Sequence, residues 1–292
     1  MKDFVQKTLG PDALTLLANM ERGGRNNEKG NRLEKRYTVF QVASLFQEAF
    51  TTEPNLSISN QESGFVDDIV VKFPNEGKKI NYQAKDSAST TWSELETKFG
   101  YQYQVDINHY KFKKSSTIAL LGVENRYDVL NTKIPKSISH HTYCEYFPNP
   151  ESQSQLIFES KPLQDALRGV VRKPDDLSHL ESAFSMLIGA IDNDDSGFVK
   201  NIWEFAIDNA KPNLFSKLPH IDSMQLTDEL KEWLDNQQIM RYDLTEDEIT
   251  FDINGFTTSL SVYDDGYKDK LGKLLEKKPS NVQEFLDIWQ EF

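Results

Sequence analysis

Residues 62–86, with the sequence ESGFVDDIVVKFPNEGKKINYQAKD, constrain the fold of this chain more than any other stretch. Two β-prone runs, 65–73 and 79–85, lie on either side of a Pro-Asn-Glu-Gly turn at 74–77. Apolar and β-branched runs joined by a short Gly-containing turn are typical of a β-hairpin. We therefore expect a hairpin whose open end carries polar side chains, because two aspartates start the first strand and Gln-Ala-Lys ends the second.

The composition restricts where the protein works. The 292 residues include 18 Phe, 11 Tyr and 4 Trp, which is enough for a sizeable core. The sequence has no apolar run of the length that a transmembrane helix needs, and its N-terminal segment lacks the apolar core of a signal peptide. The single cysteine, Cys144, excludes an internal disulfide and fits a reducing compartment. We expect a cytoplasmic protein that makes no membrane contact.

Charge is distributed unevenly along the chain. The net charge is −13, and residues 222–292 carry 17 acidic and 7 basic side chains, a net of −10. This acidity argues against a general nucleic-acid coat protein. The nearly neutral remainder contains basic clusters at 22–36, 111–114 and 168–173. Each cluster is either a solvated surface or a contact for phosphate groups, and the sequence leaves both interpretations open.

The order of the elements around the hairpin favours an α/β fold. Polar residues 21–31 predict a loop. Further predicted elements are a helix over 33–50, a helix from Thr90 with Thr91 or Ser93 as its N-cap, and strands over 116–124 and 140–147. This order indicates a mixed sheet with helices on its faces.

The second half of the chain has a different pattern. The stretch 147–155 is rich in Pro and polar residues, which indicates a domain boundary, so we expect domains over 1–148 and 149–292. Helical patterns follow at about 160–171, 177–192, 198–210 and 225–237. Asn254-Gly255 between two β-prone runs predicts a hairpin near 249–262. The C-terminal domain is therefore predicted to be mostly helical with one hairpin.

The polar residues of the first hairpin predict a catalytic group. Strand alternation places Gln83 and Lys85 on one face, and a lysine on an otherwise apolar strand is costly without a partner. The turn brings Asp67 or Asp68 near both of them. Carboxylate and amide oxygens are the hard ligands that Mg²⁺ prefers. A bound metal activates water, and a lysine stabilises the transition state, so the group suits phosphodiester hydrolysis.

The spacing Asp-x14-Gln-x-Lys, counted from Asp68, resembles the core motif of the PD-(D/E)XK nucleases. With Gln83 in the acidic position, it is similar to the QxK variant in the nuclease domains of bacterial anti-phage effectors, those of CD-NTase-linked and Lamassu-type defence systems. A basic loop before a helix with Phe40-Gln41, and a helix starting at Trp92, agree with this resemblance. It covers about residues 20–125. It implies a restriction-endonuclease-like mixed sheet and a metal-dependent DNA endonuclease, acting as an effector in antiviral defence.

The resemblance also implies roles for individual residues. Asp68, Glu34 and Gln83 would hold Mg²⁺ or Mn²⁺, helped by the backbone carbonyl of Ala84, and Lys85 would serve the attacking water. Asp68 is preferred over Asp67 because family members usually carry the ligand directly before the aliphatic run. Glu62 is the alternative to Glu34. The predicted DNA contacts are Arg22, Arg25, Arg32 and Gln41.

Two questions about function stay open in the sequence. Gln83 removes one negative charge from the expected metal site, so a catalytically inactive subunit that binds DNA or assembles a defence complex is the second hypothesis. The chain has no Walker or kinase motif, so any ATP dependence would come from a regulatory partner, such as an ATPase or sensor subunit. The acidic region 222–292 either keeps the protein soluble or controls DNA access, and a homo-oligomer is also left open.

Overall fold

The computed structural model describes residues 1–23, 28–210, 214–215, 224–237, 240–244, 248–253, 255–261 and 266–290. The chain divides into two compact units, Met1–Phe215 and Ser216–Phe292. Each unit has its own apolar core. Among the described residues, no helix combines the length and the apolar character needed to cross a membrane.

The first unit is built from ten helices and five strands within its described residues. The helices are α1 Lys2–Phe4, α2 Pro11–Gly23, α3 Glu28–Ser44, α4 Phe46–Phe50, α5 Trp92–Gln104, α6 Glu124–Asn131, α7 Gln153–Glu159, α8 Lys161–Arg168, α9 Leu177–Asn193 and α10 Val199–Asn209. Two π-helical turns, Val5–Leu9 and Val105–His109, continue α1 and α5. The strands are β1 Ser57–Asn60, β2 Ile69–Phe73, β3 Lys78–Lys85, β4 Lys114–Leu121 and β5 Thr142–Tyr146.

The five strands form one mixed sheet in the order β1-β2-β3-β4-β5. β1, β2 and β3 are antiparallel neighbours, whereas β3, β4 and β5 run parallel. The predicted β2–β3 hairpin is present, with Ile69 opposite Tyr82 and a turn in which the Gly77 amide donates to the Pro74 carbonyl (3.1 Å). The mixed α/β sheet flanked by helices therefore agrees with the sequence.

The two faces of the sheet pack against different helices. Tyr82 and Ala84 of β3 belong to the core that α3 shares with the later helices of the unit. On the opposite face, Leu95 and Phe99 of α5 pack with Ala119 of β4. Because polar residues alternate with apolar ones along β3, its Gln83 and Lys85 face away from the larger core. The hairpin thus ends between two helix layers.

The predicted domain boundary after residue 148 is not where the chain divides. Helices α7–α10 add fully buried side chains, among them Leu156, Leu187 and Trp203, to the core of the first unit. The indole Nε1 of Trp203 donates to the carbonyl of Val42 in α3 (2.9 Å). The Pro-rich stretch is not a linker, because Arg36 holds it: the guanidinium donates to Asn149 Oδ1 (3.0 Å) and to the carbonyls of the next two residues.

The helices around the predicted loop also differ from the expectation. α2 continues to Gly23 and α3 begins at Glu28, so helix replaces most of the predicted loop 21–31, and residues 24–27 lie outside the described part. The predicted helix 33–50 is divided at Leu45 into α3 and α4. At α5 the prediction is confirmed, since Thr91 is the N-cap and its amide donates to Glu94 Oε2 (3.3 Å).

The second unit contains a three-stranded antiparallel sheet and three helices among its described residues. The elements are α11 Asp228–Asp235, β6 Met240–Leu244, β7 Glu248–Ile253, β8 Phe256–Ser261, α12 Tyr267–Lys277 and α13 Val282–Gln290. The predicted hairpin near 249–262 corresponds to β7 and β8, and Gly255 in its turn has a positive φ of 87°. β6 was not predicted, so the predicted mostly helical domain over 149–292, with one hairpin, lacked the third strand of this sheet.

Candidate functional site

The β2–β3 register brings Asp68 to the end of β3. Ile69 lies opposite Tyr82, so Asp68, one residue earlier, lies beside Gln83. The Oδ2 atom of Asp68 accepts hydrogen bonds from the Ala84 backbone amide (2.7 Å) and from Gln83 Nε2. Asp68 is thereby fixed by both the backbone and a side chain of β3, which is the convergence that the hairpin pattern predicted.

The side-chain oxygen of Gln83 is buried. Its side chain is 3% exposed, and Oε1 has no hydrogen-bond partner among the described residues. A buried acceptor without a donor costs about 1–3 kcal/mol, so such atoms are rare unless a ligand or water satisfies them. This atom belongs to the side chain that bonds Asp68. The pair therefore offers a carboxylate and an unsatisfied amide oxygen at one place.

Two further carboxyl groups are electrostatically coupled to Asp68. Burial, followed by repulsion from Asp68 and Asp67, raises the pKa of Glu34 to about 7. Burial and the charge of Asp68 raise the pKa of Asp67 to about 6, and burial also raises the pKa of Asp68. Glu34 projects from α3, and one turn later the Thr38 hydroxyl lies 3.0 Å from Asn60 Oδ1, so α3 meets the end of β1 here. The three carboxyl groups repel one another in a site that a cation would stabilise.

Two lysines complete the charge of the site, and of these only Lys85 was predicted from the sequence. Lys85 is the last residue of β3. Burial raises the pKa values of Asp68, Asp67 and Glu34, and the positive charge of Lys85 offsets part of that rise. Lys98 projects from α5, and burial together with repulsion by Lys85 lowers its own pKa. The helical spacing of Leu95, Lys98 and Gln102 could have indicated that Lys98 borders the buried face of α5.

The oxygen atoms of these residues are of the kind that bind a divalent cation, but few of them come together. Among the described residues, no cluster of three or more His, Cys, Asp and Glu side chains has a metal-binding arrangement. The site instead combines the carboxylates with one neutral amide, and its buried Gln83 Oε1 lacks a donor. Oxygen donors of this kind are those that Mg²⁺ and Mn²⁺ accept. Asp68, Glu34 and Gln83 are the residues that could hold such a cation.

Other predicted site residues are engaged elsewhere. Glu62 forms ion pairs with Lys72 (2.6 Å) and Lys79 (3.5 Å). Its carboxylate is therefore not available to replace Glu34 as a metal ligand. Burial opposes ionisation of Glu62, but the Lys72 hydrogen bond and the Lys79 charge keep its pKa below the usual value. The Gln41 amide donates to the Tyr37 hydroxyl (2.8 Å), which places its described contact within α3 rather than with the carboxylates.

The predicted DNA contacts are only partly described. Arg32 forms a two-point ion pair with Glu151, Nη1 to Oε2 at 2.6 Å and Nη2 to Oε1 at 3.3 Å. The side chain of Arg22 and the whole of Arg25 lie outside the described residues. The second basic cluster, 111–114, lies at the opposite end of the sheet, because Lys114 pairs with Lys78 whereas the site is at Lys85. Seven residues of strand separate the two ends by about 23 Å.

Comparisons of the chain with protein-family models, with curated proteins and with solved structures found no match. The site therefore has to be interpreted from its own chemistry.

Proposed function

We propose that this protein is a Mg²⁺- or Mn²⁺-dependent endonuclease that hydrolyses phosphodiester bonds in DNA. The observation that carries the proposal is the pairing of Asp68 with Gln83 at the end of β3, two residues before Lys85. In the part of the chain that the structure describes, the buried Oε1 of Gln83 has no hydrogen-bond partner. This arrangement agrees with the Asp-x14-Gln-x-Lys pattern of the PD-(D/E)XK nucleases.

Charge explains why a metal and a phosphate suit the same site. When ionised, Glu34, Asp67 and Asp68 together with Lys85 and Lys98 have a net charge of −1. A divalent cation changes this net charge to +1, which attracts a phosphodiester anion. The bound metal would lower the pKa of a coordinated water and neutralise charge on the phosphate.

The lysines supply what the metal does not. Lys85 follows Gln83 and Ala84 on β3, so its ammonium group can hold the attacking water or stabilise the pentavalent transition state. Lys98 approaches from α5, on another element, and offers a second cation to the phosphate oxygens. Hydrolysis would form a bond between the water oxygen and phosphorus and break one phosphorus–oxygen ester bond. A surrounding carboxylate would accept the proton of the attacking water, and the leaving oxygen would take up a proton from solvent to become a hydroxyl group.

A second candidate is a catalytically inactive subunit that binds DNA or assembles a larger complex. One observation favours it. Gln83 Nε2 donates to Asp68 Oδ2, so a neutral amide occupies an oxygen that a metal would need. A metal would have to displace this hydrogen bond, and a glutamate in the same place would not impose that cost.

Plasmid cleavage separates these two functions. Supercoiled DNA is incubated with the wild type, with Asp68→Asn and with the control Asp192→Asn, in Mg²⁺, in Mn²⁺ and in chelator. Asp192 is a suitable control because it is exposed and pairs with Lys35 on the surface (2.9 Å). We expect the wild type and Asp192→Asn to nick DNA only with metal, and Asp68→Asn to be inactive but folded. A wild type that binds DNA without cutting it would favour the second candidate.

The wider role rests on the motif resemblance. An effector of bacterial antiviral defence needs a control that keeps it inactive, and the described residues supply no nucleotide-binding motif for that purpose. We propose that a regulatory partner protein, such as an ATPase or sensor subunit, provides it. The acidic region 222–292 is the proposed contact, because its net negative charge can bind a basic partner or repel DNA.

A further inference from the structure

A buried polar network lies against the first half of β3, at Lys79 and Asn81. Among the described residues, it forms no hydrogen bond with the groups proposed for catalysis. Its centre is Asp106, in the π-helical turn after α5, which is completely buried. Its carboxylate accepts four hydrogen bonds: from Lys79 Nζ (2.9 Å), Gln102 Nε2 (2.9 Å), Asn81 Nδ2 (2.7 Å) and Ser115 Oγ (2.7 Å). A buried ion pair of this kind is costly to assemble and weak evidence for stability by itself.

Gln102 connects this network to the loop at residues 61–68, which carries Asp67 and Asp68. Its Oε1 accepts hydrogen bonds from the backbone amides of Phe65 (2.7 Å) and Val66 (3.2 Å), the two residues directly before Asp67 and Asp68. Gln102 is 1% exposed. An amide has distinct donor and acceptor ends, and here the carboxylate of Asp106 takes the donor end. Asp106 thus fixes the orientation in which Gln102 holds the loop.

A hydrogen bond joins the two ends of the same loop, and the loop packs tightly against the side chain of Gln102. The backbone amide of Gln61 donates a hydrogen bond to the backbone carbonyl of Asp68 (3.2 Å), which joins the two ends of the loop. A methyl group on Gly64 would lie 2.7 Å from Gln102 Oε1, so any larger residue there would displace the Gln102 side chain. The side chains of Phe65 and Val66 are buried on either side of this contact. The backbone therefore has little freedom where it enters Asp67.

We propose that Gln102 is a positioning residue that holds the backbone of Phe65 and Val66 so that Asp68 and Asp67 are set for metal binding. The proposal rests on the proposed function for its ligand. The side chain of Asp68 accepts a hydrogen bond from the Ala84 amide, and Gln102 holds the backbone directly before Asp67. Loss of the Gln102 contacts frees the loop to move while the sheet stays intact. Outer groups that orient metal ligands typically contribute about 10–100-fold to metal affinity.

Three variants test the proposal. Gln102→Met keeps the side-chain size but removes both loop contacts, and Gly64→Ala displaces Gln102 from the other side. Ser115→Ala is the matched control, because it removes a hydrogen bond from the same Asp106 carboxylate without touching the loop. Each is compared with the wild type by thermal unfolding, by hydrogen–deuterium exchange of residues 62–69 without metal, and by calorimetric titration with Mn²⁺.

We expect Gln102→Met and Gly64→Ala to increase exchange in 62–69 and to weaken Mn²⁺ binding by about 10-fold or more. Ser115→Ala should lower the melting temperature but leave exchange in the loop and Mn²⁺ affinity unchanged. The proposal is overturned if exchange does not increase, if Mn²⁺ affinity is unchanged in the first two variants, or if Ser115→Ala loses as much affinity as they do. A wild type that neither binds Mn²⁺ nor cleaves DNA contradicts the proposed function instead, and the exchange measurement still decides whether Gln102 holds the loop.

Discussion

Replacing Glu34 by glutamine should stabilise the metal-free protein, and the gain should grow with pH. Burial and the neighbouring aspartates raise the pKa of Glu34 from 4.5 to about 7, so the folded protein favours the protonated carboxyl. A raised pKa stabilises the fold below the unfolded value, and this contribution is lost as the pH rises through about 7. At pH 8 the wild type must therefore bury a charge that Glu34→Gln does not carry.

The size of this effect follows from the shift. A rise of the pKa from 4.5 to about 7 corresponds to at most about 3 kcal/mol. Glu34 is 8% exposed, but Asp67 and Asp68 are only half-buried and water screens part of their repulsion. We therefore expect the stability difference between Glu34→Gln and wild type to grow by about 1–2 kcal/mol from pH 5 to pH 8. For a unit of this size that is a change of about 4 °C in melting temperature.

Thermal unfolding in chelator at pH 5 and pH 8 measures this difference. Glu204→Gln is the control, because Glu204 is exposed in the same unit and pairs only with Lys200 (3.7 Å) among its described contacts. Its melting temperature should follow the wild type at both pH values. If the gap between Glu34→Gln and wild type is the same at both pH values, the carboxyl of Glu34 does not face the aspartates as described.

Three further results are expected. Lys98→Met should slow DNA cleavage about tenfold or more while DNA binding, measured by filter retention, stays near wild type, because Lys98 stabilises the transition state more than the bound substrate; equal rates would remove Lys98 from the site. Gln83→Glu should bind Mg²⁺ more tightly but melt at a lower temperature in chelator, since it adds a carboxylate beside Asp68; a variant that melts higher in chelator would contradict this. Truncation after Phe215 should leave a cooperatively unfolding protein, whereas truncation after Phe147 should not, because it removes the buried helices α7–α10 from the core; a cooperative melt of the shorter chain would restore the boundary predicted from the sequence.

The hairpin was predictable because local signals agree with its tertiary role. The β-prone runs on both sides of the Pro-Asn-Glu-Gly turn indicate the hairpin, whereas alternation does not distinguish Asp67 from Asp68 because both faces of β2 are apolar. The start of β2 was misplaced, at 65 instead of Ile69, for a tertiary reason. The amides of Phe65 and Val66 donate to the side chain of Gln102 rather than to a neighbouring strand. Strand propensity cannot reveal a partner that lies on a distant helix.

Two features that the sequence did not reveal are the contribution of α5 to the site and the anchoring of the segment after β5. Lys98 and Gln102 are four residues apart on one helix, and their importance depends on how α5 lies against the sheet. The Pro-rich stretch at 147–155 has the composition of a linker, but hydrogen bonds from Arg36 hold it against the first unit. Composition alone does not distinguish a segment held in this way from a free linker. Charge clusters were ambiguous for a similar reason, since Arg32 pairs with Glu151.

The most direct test of the proposed function is single-turnover cleavage of plasmid DNA by Lys85→Ala in Mg²⁺, measured together with DNA affinity. Lys200→Ala is the control, because Lys200 is a surface residue of α10 that pairs with Glu204. We expect wild type and Lys200→Ala to cleave at the same rate, and Lys85→Ala to bind DNA normally but cleave about 100-fold more slowly or worse. Cleavage by Lys85→Ala at the wild-type rate would contradict the assignment of this site as the catalytic centre.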